Sequence, residues 1–260
     1  MRLRRIVRTT SLSLGLYPLV RKLDRWLRRE ERDMHQGARK HYAALLPQKG
    51  LCFDVGANAG RISEALLELG HTVVAFEPQK ECVRELRVRC DPWRDRLRVE
   101  EVALGEKPDT MTMFLKEYTV QSSLKPGWGM EDVDSIQVPV STLDLAIARF
   151  GMPQYCKIDV EGWEVQVLSG LTHAIPLISF EYHQEDGMMQ DAYACLDRLA
   201  SLGAITLNLT TGESSDLVLP EWVSMPEFKS LFEGSYKDKE AFAYGDIYVR
   251  MARQKPEAGF

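Results

Sequence analysis

The residues best able to do chemistry stand where short apolar runs end. Phe53-Asp54-Val55-Gly56-Ala57-Asn58-Ala59-Gly60 closes the first such run. Its Asp54-x-Gly56-x-x-x-Gly60 spacing lets the chain turn tightly and approach a ligand with no Cβ in the way. Glu77 closes the second run, 21 residues after Gly56, and Pro78 fixes the turn behind it. A carboxylate so placed can accept hydrogen bonds from both hydroxyls of a ribose. Nicotinamide dinucleotides use the same device, so the glycines must discriminate. A pyrophosphate asks for Gly-x-Gly-x-x-Gly and close backbone approach at the second glycine, whereas position 58 is Asn. A nucleoside ligand without phosphates tolerates that loss, and S-adenosylmethionine is such a ligand. Asp54, Gly56, Asn58, Gly60 and Glu77 are therefore the expected cofactor site.

A third run ends at Glu101-Val102-Ala103-Leu104-Gly105, where Val102 and Ala103 would flank an adenine or serve as ordinary core. The fourth ends in Lys157-Ile158-Asp159-Val160-Glu161-Gly162, and alternation places Lys157, Asp159 and Glu161 on one side. The fifth carries Glu181 and His183 on alternate positions, completing a polar rim. An alcohol that accepts a methyl group must shed a proton, which a histidine or a carboxyl of raised pKa can take. Asp159, His183, Glu181 and Lys157 are the catalytic candidates, with His183 the leading base and a structural histidine the alternative. The same carboxylates with His183 could hold a divalent ion, but their spacing is not diagnostic and no metal is assigned. His71, after Gly70 in a turn, reads as surface.

The elements that must position these groups alternate between strand and helix. Strand patterns cover Leu51 to Val55, Val73 to Phe76, Leu97 to Ala103, Tyr155 to Val160, Leu177 to Tyr182, Ala204 to Leu209 and Asp246 to Met251. Helical patterns cover Arg61 to Leu69, Lys80 to Cys90, Leu143 to Phe150, Trp163 to Leu168 and Ala192 to Leu202. Such alternation predicts a doubly wound α/β fold, a mostly parallel seven-stranded sheet covered by helices on both faces. Residues 110 to 140 hold three short extended pieces, Met111 to Leu115, Thr119 to Ser123 and Ile136 to Val140, and read as an insertion or lid.

The 260 residues carry a net charge of -5, yet residues 1 to 50 hold 13 Lys/Arg against 4 Asp/Glu. Residues 1 to 49 thus read as a basic, solvated helical arm on a domain spanning 50 to 260. Weak contact with a membrane surface or an anionic partner is one role open to that arm. Arg8 and Pro18 interrupt any signal-peptide pattern, and no small-x-small cleavage site follows. Five cysteines without a Cys-x-x-Cys or zinc pattern imply a reducing, cytoplasmic setting. The acidic body, with no Asn/Asp-Pro-Pro-Tyr/Phe motif after the fourth strand, argues against a nucleic-acid partner.

Taken in order, the Phe53 to Gly60 segment, Ala75-Phe76-Glu77-Pro78, Ala103-Leu104-Gly105, Ser122-Ser123, Ser141-Thr142-Leu143-Asp144 and Lys157 to Gly162 closely resemble the FkbM family of methyltransferases. The likeness covers about residues 50 to 185. It implies a class I, Rossmann-like methyltransferase fold and O-methylation of a hydroxyl on a sugar or secondary metabolite, a small-molecule or glycan acceptor. It also implies that Asp54, Gly56, Asn58, Gly60 and Glu77 bind the cofactor and that Asp159, Glu161 and Glu181 form the acidic substrate side. Methylation of a nitrogen, or nucleoside binding without turnover, are the alternatives. Residues after about 190 resemble nothing that assigns an acceptor.

Overall fold

A computed structural model describes residues 29–116, 122–128, 131, 133–183, 188–212, 214–235 and 243–252. The described part begins with helix α1 (Arg29–Leu45), then strand β1 (Leu51–Val55), α2 (Arg61–Glu68), β2 (Thr72–Phe76) and α3 (Lys80–Arg89). A 3-10 turn at Asp91–Arg96 leads to β3 (Leu97–Glu100) and β4 (Ala103–Leu104). The long strands β5 (Asp109–Leu115) and β6 (Asp134–Ser141) follow, then α4 (Leu143–Phe150), β7 (Tyr155–Ile158), α5 (Glu164–Ser169) and β8 (Leu177–His183). The rest comprises α6 (Met188–Leu202), β9 (Ile205–Leu209), α7 (Met225–Ser235) and β10 (Tyr244–Met251).

Seven strands form one sheet in the order β3-β2-β1-β7-β8-β10-β9. The pairs from β3 to β8 are parallel, and β10 runs antiparallel between β8 and β9. Strand order reverses between β1 and β7, which opens a crevice beyond their carboxyl ends. Alternation along β1 feeds both faces: Phe53 and Val55 join one apolar layer with Phe76 and Ile158, and Cys52 joins the other with Leu66, Leu86 and Tyr155. Burial on both faces explains why these strands read as nearly continuous apolar runs.

Three expectations are corrected. The run from Leu97 to Ala103 is not one strand. β3 stops at Glu100, whose carbonyl accepts from Glu77 N at 3.0 Å, and Ala103 re-emerges in a separate sheet ordered β4-β6-β5. Residues 110 to 140 are accordingly built mainly on a β5–β6 antiparallel pair. The predicted piece Thr119 to Ser123 falls largely outside the described residues, though Ser123 bridges Phe114.

The solvated arm also fails where it is described. Helix α1 lies on α2, with Tyr42 buried against Tyr155 at a ring separation of 5.6 Å. Glu68 takes Arg39 Nε and His35 Nε2, each at 3.0 Å. An amphipathic helix with aromatic and aliphatic residues on one face buries that face when a partner is in reach. The arm's residues 1 to 28 lie outside the described part.

His71, expected at the surface, is buried. Its Nδ1 accepts from Gly50 N at 3.4 Å and lies 3.0 Å from Gln154 Nε2, and burial lowers its pKa. Among the described residues no helix is long and apolar enough to cross a membrane.

Candidate active site

The turn after β1 is held by backbone chemistry. Gly56 N and Ala57 N both donate to Phe76 O, at 3.0 and 3.1 Å, pinning the turn to the end of β2. Gly56 has φ 80°, and a Cβ there would stand 1.8 Å from the carbonyl oxygen of Asp159. Glycine is required because the ends of β1 and β7 meet at that point. Asn58 is also left-handed, at φ 47°, a conformation its short polar side chain tolerates. Its Oδ1 accepts from Ala59 N at 2.7 Å, capping its own turn.

Two buried carboxyls stand behind this turn. Asp54 Oδ2 accepts from Ser63 Oγ at 2.5 Å, and burial raises its pKa to about 6. Glu77 Oε2 accepts from Asn58 N and Oε1 from Gln79 N, both at 2.8 Å. Burial raises Glu77 to about 7 against the counter-pull of those two bonds and of one from the Gln79 side chain. Glu77 thus sets the loop's shape.

Beyond the turn lies a cavity of about 570 Å³. Asp54, Gly56, Asn58, Val102 and Ala103 line one part, and Asp159, Glu161, Glu181 and His183 another. Gly60, Glu77 and Lys157 are not among its walls. Gly60 serves packing instead: it opens α2 at φ 77°, and a Cβ would meet Leu86 Cγ of α3 at 2.8 Å.

The acidic end is crowded. Carboxylate oxygens of Asp159, Glu161 and Glu181 all fall within 4.8 Å of one another. Strand β7 ends at Ile158, so Glu161 reaches this group through a left-handed turn at φ 56° rather than by strand alternation. Burial, then the charges of Glu181 and Asp159, raise Glu161 to about 8. Burial and Asp159 likewise raise Glu181. Glu164, which sequence reading passed over, braces the turn: its Oε1 accepts from Val160 N at 3.1 Å and Gly162 N at 3.3 Å.

Lys157 is buried under this end, with Nζ 2.8 Å from Asp246 Oδ1 and 3.3 Å from Asp159 Oδ2. Burial lowers an amine's pKa, but the two carboxylates more than offset it and the net shift is upward. The ammonium is therefore a fixed counter-charge, held from below.

His183 Nε2 lies 3.2 Å from Glu181 Oε2, an ion-pair distance without the alignment of a hydrogen bond. Burial depresses the ring's pKa, Glu181 overcomes that, and the net shift is upward. Its ring stacks near Tyr244 at 6.2 Å and meets the edge of Trp128 at 5.4 Å.

Trp128, not foreseen as a site residue, clamps the segment 122–128 onto the acidic turn. Its Nε1 donates to Glu161 Oε2 at 3.0 Å, and Ser123 Oγ donates to the Glu161 carbonyl at 2.6 Å. Its ring occupies the space where a Cβ on Gly162 would stand, 2.3 Å from Cε3. The only sequence signal was the Gly127-Trp128-Gly129 triplet.

A mostly parallel sheet with one late antiparallel strand, a glycine turn after β1 and a carboxylate after β2 together define a doubly wound, Rossmann-like protein with a nucleoside-type crevice. A family model described as the methyltransferase FkbM domain matches residues 54–205, more than half of the chain, and the chain belongs to that family. None of the curated proteins matches it in sequence. Among solved structures it is similar to a precorrin-6Y C5,15-methyltransferase of Geobacter metallireducens, at 9% identity and TM-score 0.43, over 82% of this chain and 87% of that one. It is also similar to a TehB-like SAM-dependent methyltransferase of Corynebacterium glutamicum, at 12% identity and TM-score 0.42, over 83% and 88%.

Proposed function

We propose that this protein methylates a hydroxyl of a sugar or secondary metabolite, using S-adenosylmethionine. The observation that carries the reading is one cavity with two unlike parts: a glycine turn that excludes a Cβ, and a carboxylate cluster beyond it. S-adenosylmethionine, when bound, supplies a methyl group on a cationic sulfonium. Gly56 and Asn58 would give the nucleoside close backbone approach, Glu77 would accept from the ribose hydroxyls, and Val102 and Ala103 would flank the base. Asp159, Glu161 and Glu181 would offset positive charge and orient the acceptor. His183, already drawn toward Glu181, would hold that carboxylate in place or take the acceptor's proton. Lys157 would act through Asp159 and is a positioning residue rather than a catalytic one.

A cytoplasmic location accords with five free, buried cysteines. Methylation of an amine is the second reading, favoured by the surplus of carboxylates at the acidic end.

Calorimetry tests the first step: S-adenosylmethionine should bind the folded protein with submillimolar affinity, and no binding sinks the proposal. Mass spectrometry of products from hydroxylated and amine acceptors then separates oxygen from nitrogen methylation.

A further inference from the structure

The Lys157 ammonium is shared unequally. Its Nζ stands 2.8 Å from Asp246 Oδ1 and 3.3 Å from Asp159 Oδ2. One ammonium cannot neutralise two carboxylates, so one negative charge is left over. The more distant partner is the one that faces the cofactor space: Asp159 lines the larger cavity and Asp246 does not. Asp159 is also fixed beside the glycine turn, where its N–H donates to Val55 O at 2.9 Å. Glu161 is raised to about 8 and Glu181 is raised too, which leaves less of the cluster's charge on them.

Asp246 is held firmly enough to set this division. It stands opposite Glu181 in the β8–β10 register. Its carbonyl accepts from Thr210 N at 2.9 Å, and its N–H donates to Thr210 Oγ1 at 3.3 Å. The Tyr248 hydroxyl donates to Oδ2 at 3.4 Å while Oδ1 meets Lys157. A Cβ on the preceding Gly245 would stand 2.2 Å from the Thr210 carbonyl oxygen, so β10 approaches the end of β9 this closely only with glycine there.

Resting on the S-adenosylmethionine reading above, we propose that Asp246 is a positioning residue of the reaction. It draws the Lys157 ammonium toward β10 and so leaves Asp159 with charge to set against the cofactor's sulfonium. Asp246 lies beyond the matched residues 54–205, on the strand that completes the sheet. With an amide at position 246, the ammonium would pair with Asp159 alone, and that pair would present no net charge.

The test compares S-adenosylmethionine with adenosylhomocysteine, which lacks the methyl group and whose sulfur is neutral. Calorimetry uses the full chain and its Asp246→Asn variant. Asn keeps the side chain's shape and an acceptor for the Tyr248 hydroxyl but removes the charge. The variant should bind S-adenosylmethionine roughly fivefold more weakly while adenosylhomocysteine affinity holds within about twofold. Structural damage would weaken both ligands alike. Equal losses for the two, or an unchanged S-adenosylmethionine affinity, overturn the inference.

A second measurement needs no cofactor. In ¹⁵N-histidine spectra of the full chain, the His183 ring signals are identified by their loss in His183→Gln. Glu181, Glu161, Glu164 and Asp191 surround that ring, with Tyr244 stacked beside it, and all stay in place in Asp246→Asn. The ammonium released from Asp246 should lower the ring's titration midpoint, and an unchanged or raised midpoint overturns the inference. A wild-type chain that binds neither ligand counts against the cofactor reading, and the His183 titration then decides the role of Asp246 by itself.

Discussion

The carbonyl oxygen of Asp159 occupies the place where a side chain on Gly56 would begin, 1.8 Å from an ideal Cβ. The first and fourth parallel strands end against each other there, and the cofactor turn and the acidic cluster share one fixed junction. Gly56→Ala should therefore damage fold and site together. Left-handed backbone costs an alanine about 1–2 kcal/mol, and the overlap adds about 1–3 kcal/mol. Urea unfolding reads the sum, and an alanine variant with the native midpoint would contradict this geometry.

Lys157 and Asp246 form a second dependent pair. Removing one partner of a fully buried ion pair costs roughly 3–5 kcal/mol. The Asp246 side chain keeps 20% exposure, so Lys157→Met should cost somewhat less, about 2–4 kcal/mol. The double variant Lys157→Met with Asp246→Leu should recover much of that loss, because the more buried carboxylate goes with its partner and the remaining one, Asp159, has a side chain 39% exposed to water. A denaturation cycle over the four proteins measures the coupling, and additive losses would rule it out.

Trp128 and Gly162 make a third prediction, one of epistasis. Gly162→Ala drives a methyl into the indole and should free segment 122–128, seen as faster amide exchange there. In a Trp128→Ala background the same change should cost only the left-handed strain, about 1–2 kcal/mol. Equal costs in both backgrounds would mean that the ring does not dock on the glycine.

The raised carboxyls predict an unusual pH profile. Glu161 titrates at about 8, and Glu77 and Glu164 at about 7, against an ordinary 4.5. Between those values the folded protein binds more protons than the unfolded chain. Their contribution to stability is therefore full below about pH 4.5 and is lost as pH rises through about 7 to 8. Thermal midpoints of the ligand-free protein should fall across that window, and Glu161→Gln should flatten the fall. A cationic ligand favours the ionised forms, so the gain in midpoint from S-adenosylmethionine should grow with pH. An equal gain at about pH 5 and about pH 8 would count against the cluster's facing the sulfonium.

Much of this was legible in the sequence because the parallel strands are buried on both faces and carry their polar groups only at their ends. β1 falls on the predicted Leu51 to Val55, and Glu77, Asp159, Glu181 and His183 all stand at strand ends. What escaped depends on distance along the chain. The partner of Lys157 is 89 residues away, and no local pattern marks Asp246 as more than a polar start to an apolar strand. The break after Glu100 was hidden because Val102 and Ala103 continue the apolar pattern, although Val102 lies outside any strand and Ala103 belongs to the β4-β6-β5 sheet. His71 was misread because a glycine turn usually faces solvent, and here Gln154 and Gly50 close over it. Gly60 was assigned to the ligand on spacing and on the family resemblance, and its missing Cβ also makes room for Leu86.

The insertion of β10 between β8 and β9 also sets a timetable. Synthesis at roughly 5–20 residues per second takes about 4–18 s to cover the 89 residues from Lys157 to Asp246. From the completion of β8 until β10 docks, β8 is an open edge, and the ammonium beside it has Asp159 but not its closer counter-ion. The nascent half-sheet is thus kept wet at its middle, where a charged side chain resists being sealed away. Closure belongs to the last strand, which delivers the missing carboxylate as it docks. The catalytic crevice and the completed sheet are then products of the same late event, and a nascent chain stalled before β10 should present an unsealed edge to chaperones rather than a working enzyme.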